Sequence, residues 1–130
     1  MDNLNLKTQV RGELNPLIDK ITERLKKIGF GILTRIDFHL KIKEKLGKDI
    51  APTIILGACN PQIAYEAFQI NTDVTSLIPC NVVVREISAG NYSVEIASPS
   101  ALLGLINGTE KLCEKAQEMD NVLKKLLANL

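Results

Sequence analysis

Apolar and polar residues alternate in the stretch LNLKTQV, which places Leu4, Leu6, Thr8 and Val10 on one side of the chain and predicts a half-buried strand. After Arg11, Gly12 and Glu13 the period changes. Ile18, Ile21, Leu25 and Ile28 recur at helical spacing, with Asp19, Lys20, Glu23, Lys26 and Lys27 on the other side. Asn15 followed by Pro16 reads as the start of this helix, since Asn caps free N–H groups and Pro has none to lose; Gly29 ends it. GFGILTRIDF, rich in β-branched residues, predicts a second strand, and HLKIKEKLG a short helix closed by Gly47. PTIILGAC is a continuous apolar run and reads as a central strand, with Pro52 tolerable only at its first position.

Asn60-Pro61 repeats the cap-and-proline device and opens a helix through QIAYEAFQI, with Ile63, Ala67 and Phe68 expected to point inward. VTSLI adds a further helical turn before Pro79. CNVVVREI and YSVEIAS form a hairpin around the turn SAGN, with Tyr92, Val94 and Ile96 on one face. Ser98-Pro99 starts another short helix, closed at Gly108. In the last segment, from Thr109, Leu112, Ala116, Met119, Leu123, Leu126 and Leu130 form an amphipathic stripe widened by Val122 and Leu127. Strands and helices do not alternate strictly. The expected architecture is therefore α+β: a two-layer sandwich with a mostly antiparallel sheet and helices on one face.

At 130 residues the chain suits one domain, residues 1–130. Sixteen basic against 15 acidic residues give a formal charge of +1, and aromatic content is 4% without Trp, so neither an electrostatic nor a stacking surface for nucleic acid is expected. The N-terminus has no signal-peptide pattern and no run is long enough to span a bilayer; the expectation is a cytoplasmic protein without a membrane partner. Three cysteines in a reducing compartment argue for free or transiently bonded thiols over structural disulfides.

The candidate chemistry lies in two Cys-Asn pairs. Cys59 falls at the exit of one strand and Cys80 at the entry of the next, so antiparallel neighbours would bring both thiols to one end of the sheet. Cys59 also precedes a helix start, where the dipole favours a thiolate. This gives a possible couple, with Cys59 attacking and Cys80 resolving, against the plainer reading of two small core residues. Cys59 and Cys80 are the candidate catalytic residues, and Asn60 and Asn81 the candidate ligand-binding ones. Asn60 already has a role as a cap, whereas Asn81 opens a strand where Asn is disfavoured. The 21-residue spacing of the cysteines is not that of a zinc ribbon, and no metal site is assigned. His39, Cys113 and the lysines at 41, 43, 45 and 48 read as boundary, packing and solvated positions. No phosphate loop, Ser-His-Asp set or carboxylate pair emerges, and no cofactor is indicated.

GFGILTRID, ILGACNP and PCNVVV together resemble the bacterial and archaeal family of unknown function numbered 302, over nearly the whole chain. One departure is Arg35, where that family usually has an acidic residue. The resemblance implies a fold like the saddle of the TATA-binding protein, in a homodimer, and carries no established activity; DNA binding does not transfer with the fold. Two functions follow as expectations. One is a homodimeric module binding a small molecule near Cys59, Asn60, Cys80 and Asn81. The other is a thiol-dependent redox or sulfur-transfer enzyme built on Cys59.

Overall fold

The computed structural model describes residues 4–106 and 110–130. Strand β1 (Asn5–Arg11) pairs antiparallel with β5 (Asn91–Ala97), setting Leu6 opposite Ile96, Thr8 opposite Val94 and Val10 opposite Tyr92. β2 (Gly31–Asp37), β3 (Thr53–Cys59) and β4 (Cys80–Ser88) complete a five-stranded sheet in the order β1-β5-β4-β3-β2. Every neighbouring pair is antiparallel. With helices packed against the sheet, this is the expected α+β architecture.

The connection between the outer strands decides where the core sits. The chain leaves β1 at one edge and re-enters at β2 on the other, so α1 (Leu14–Lys27) must cross the sheet. Its stripe of Leu17, Ile18, Ile21 and Leu25 is buried there with Leu123, Leu126 and Leu127 of α5 (Glu110–Ala128). Beneath them lie Ile54, Leu56 and Ala58 of β3, Val82 and Val84 of β4, and Val94 and Ile96 of β5. These strand residues share one parity, as side chains on a single sheet face must. On the other face Glu95 receives Arg85 at 3.3 Å and Lys7 at 3.5 Å, so its nearly buried carboxylate is paired from both neighbouring strands.

Several boundaries differ from the sequence expectation for physical reasons. α1 begins at Leu14 after Glu13, whose carbonyl accepts the Leu17 N–H at 3.1 Å. Asn15 and Pro16 therefore lie inside the first turn, where proline is still tolerated because those N–H groups have no helical acceptor. α1 ends in a Schellman arrangement around Gly29 (φ +90°): Gly29 N–H donates to Lys26 and Phe30 N–H to Leu25. α3 (Pro61–Ile70) buries Ala67 but leaves Phe68 45% exposed, because the stripe is covered along one narrow side only. α4 (Pro99–Leu103) stops at Gly104. The expected closure at Gly108 and the start of the last helix at Thr109 lie outside the described residues. Between β2 and β3, α2 (Phe38–Leu46) buries none of its residues. A 3-10 helix, Thr72–Leu77, leads into β4. No helix of the described residues is long and apolar enough to cross a membrane.

Candidate functional site

The exit of β3 and the entry of β4 lie side by side. Ala58 is opposite Cys80 and Gly57 opposite Asn81, so Cys59 and Cys80 sit one residue out of register at the same end of the sheet. All three cysteines are free, Cys59 and Cys80 half-buried and Cys113 exposed. Beyond this end, α3, the 3-10 helix and α4 close around a cleft of about 80 Å³. Cys59, Asn60 and Cys80 line it with Phe30, Ile63, Ala64, Leu102 and Met119. A single water needs roughly 10–15 Å³ on this measure, so the cleft has room for a molecule of a few non-hydrogen atoms. Its walls are almost wholly apolar, which favours a correspondingly apolar occupant.

Asn60 positions the turn from strand to helix. Its side-chain carbonyl accepts the Ile63 N–H at 3.3 Å and its backbone carbonyl the Ala64 N–H at 2.9 Å. A Cβ at Gly29 would sit 3.1 Å from its amide nitrogen, so the α1 terminus packs closely against this side chain. With Pro61 lacking an N–H and two further donors occupied, the helix start offers little to a thiolate. Burial wins over the dipole: it pushes the Cys59 thiol up, contrary to the activation expected from sequence. Cys80 is pushed up to about 11, first by burial, then by the charges of Cys59 and Asp120. The end of the sheet keeps its thiols protonated.

Of the four residues singled out by sequence, the cleft brings together three. Asn81 is exposed on the opposite sheet face, where it lines a separate, more polar depression with Asn5, Ser76 and Glu95. Strand alternation separates it from Cys80, its neighbour in sequence. His39 is not beside either cysteine of the cleft; its Nδ1 accepts the Thr53 N–H at 3.1 Å and ties α2 to the start of β3. Arg35 pairs with Asp37 at 2.9 Å, and Lys41 and Lys43 with Glu44 and Asp49. Among the described residues no cluster of three or more His, Cys, Asp or Glu side chains could hold a metal ion.

Two contributors escape a reading by composition and period. Asp120 is 5% exposed, on the buried side of α5. It accepts the Ser98 hydroxyl at 2.9 Å, the Ser100 N–H at 3.1 Å and the Ser100 hydroxyl, clamping α4 to α5 behind the cleft. The signal was present as an acidic residue beside Met119 within the stripe, and it acquires meaning only with Ser98-Pro99-Ser100 opposite. The second is Gly57. A Cβ there would collide with Thr34 Oγ1 and lie 2.7 Å from Pro79 Cγ, so the glycine lets β2 and the β4 entry close over β3.

These features define a small α+β domain: an open antiparallel five-stranded sheet under two long helices, with an apolar, cysteine-lined cleft where the central strands end. The model of the domain of unknown function DUF302 matches residues 6–130, and the chain belongs to that family. It is similar to the crystal structure of an uncharacterized conserved protein DUF302 from Bacillus stearothermophilus, with 31% sequence identity, a TM-score of 0.86 and 97% of each chain covered. Comparison with functionally curated proteins finds no match.

Proposed function

We propose that this protein is a cytoplasmic homodimeric binding module that holds a small apolar molecule in the cleft walled by Cys59, Asn60 and Cys80. The cleft itself carries the reading: a space of about 80 Å³ with almost wholly apolar walls. The rival reading, a thiol enzyme, needs a thiolate near neutral pH, and both cysteines are pushed the other way. Free thiols suit a reducing compartment. Support for a second copy comes from the β2 edge. There Leu33 (62% exposed), Ile36 and Leu40 leave apolar surface beside unpaired strand backbone, and α2 has no fully buried residue.

Xenon is a suitable probe, being monatomic, apolar and small enough to enter. Under xenon pressure the methyl NMR signals of Ile63, Ile78 and Leu102 should shift, and Ala64→Leu, which fills the cleft, should abolish the shift. Unmoved signals in the parent chain, or shifts surviving Ala64→Leu, would refute the binding reading. Sedimentation should give a dimer mass at micromolar concentration, reduced to a monomer by Leu33→Glu with Leu40→Glu. A monomeric parent chain sinks the dimer.

A further inference from the structure

We propose that the polar depression on the open sheet face is a second binding site, built around Glu95 for a neutral polyhydroxylated molecule of the monosaccharide class. It lies at the end of the sheet where β1 and β4 begin and β5 finishes. Asn5, Asn81, Val83, Glu95 and Ala97 line it from the strands, and Ser76 from the 3-10 helix. The space is about 460 Å³. Small-molecule sites occupy roughly 300–1,000 Å³. Strand register keeps it open: Asn81 has Gly57 opposite on β3, and Asn5 has Ala97 opposite on β5, so neither amide meets a large side chain there.

Four polar groups in this depression have hydrogen-bonding capacity that the protein leaves unused. Glu95 is the decisive one. Its side chain is only 9% exposed, and Arg85, Lys7 and Ser93 all approach the same oxygen, Oε1, at 3.3, 3.5 and 3.5 Å. Oε2 has no hydrogen-bond or ion-pair partner among the described residues. A carboxylate oxygen in so enclosed a place is costly without a donor. The side chains of Asn5, Ser76 and Asn81 are likewise without a hydrogen-bond partner among the described residues. Charge then selects the ligand. Lys7 and Arg85 already counter the one carboxylate, so an ammonium would meet a net positive surround, while Oε2 would repel an anion. A neutral molecule avoids both costs. One hydroxyl donates to Oε2, and its neighbours exchange bonds with the two amides and the serine, which both donate and accept. Its C–H surface rests on Val83 and Ala97. The hydroxyl–carboxylate bond is charge-assisted, roughly twice as strong as a neutral one, which makes Glu95 the anchor.

The test adds D-glucose, D-galactose, D-mannose, D-ribose and myo-inositol singly to the isotope-labelled chain, with cadaverine and inorganic phosphate as charged probes, and follows the side-chain amide NMR signals of Asn5 and Asn81. At least one neutral probe should shift both signals with a Kd of about 1 mM or tighter. Asn81→Ala, at an exposed position, should leave the melting temperature near the parent value and weaken that probe by about tenfold, the worth of one hydrogen bond. Glu95→Gln keeps the shape and removes the charge, and should weaken it by about tenfold or more. Asn81→Ala keeps the test decisive should Glu95→Gln fold poorly. The proposal is overturned if no neutral probe shifts both amides at about 10 mM, ten times the expected Kd. It is overturned equally if cadaverine or phosphate binds there more tightly than every neutral probe, or if affinity survives both substitutions. Xenon entering the apolar cleft of a chain that binds none of the neutral probes would overturn this inference and leave the cleft reading standing; sugar binding without xenon entry would do the reverse.

Discussion

Cys80 should react with a small neutral disulfide more slowly than free cysteine does at pH 7, and the structure sets the factor. Burial behind α4 and α5, with the charges of Cys59 and Asp120, puts its thiol at about 11 against an ordinary 9.0. Both values lie well above neutrality, so the thiolate fraction falls by about 100-fold. A more basic thiolate is a better nucleophile, and a Brønsted slope of about 0.4–0.5 recovers about 6- to 10-fold of that loss. The net expectation is a rate about 10- to 15-fold below free cysteine before any steric shielding, which lowers it further. Peptide-level mass spectrometry of the quenched reaction resolves Cys80 from the other two cysteines. Its rate should climb about tenfold per pH step from 7 to 10 without levelling, because the fraction ionised is still rising. A plateau below pH 8, or a rate above that of free cysteine, would refute both the burial argument and the preference for binding over thiol catalysis.

The clamp behind the cleft predicts a stability loss. Asp120→Ala removes the acceptor for two hydroxyls and one backbone N–H, and should cost about 2–4 kcal/mol in urea unfolding followed by circular dichroism. Asp120→Asn, which can still accept, should cost about half of that; an alanine variant within 0.5 kcal/mol of the parent, the range of neutral surface changes, would refute the clamp. Gly57→Ala should destabilise by about 1–3 kcal/mol, since the new methyl meets Thr34 and Pro79, and an unchanged urea midpoint would show that β2 can move aside.

Much of the fold was legible because its signals are local. Cap-and-proline pairs at Asn60-Pro61 and Ser98-Pro99 open helices where expected, and in both the cap side chain accepts the backbone N–H three residues on. The turn around Gly90 joins β4 to β5. Asn15-Pro16 misled by two residues because proline is acceptable anywhere in the first turn of a helix, so its position does not mark the boundary. Phe68 misled because periodicity says which residues share a face and not how wide the neighbour covering that face will be.

Local signals sufficed for the α+β class with a mostly antiparallel sheet, for the ends of most elements, and for Cys59 at a strand exit with Cys80 at a strand entry. That these two strands are antiparallel neighbours, and what their meeting does, came with the folded chain. Strand pleating sends Asn81 to the opposite face from its neighbour Cys80, and packing of α3 and α4 beyond the sheet end makes the cleft that Met119 completes. Asp120 acquires its serine partners only when α5 folds back over α4. The division follows from range. Capping, turns and alternation are set by residues a few positions apart, whereas a thiol's ionisation and a cavity's lining depend on groups brought together from distant parts of the chain, Phe30 to Met119 around the cleft.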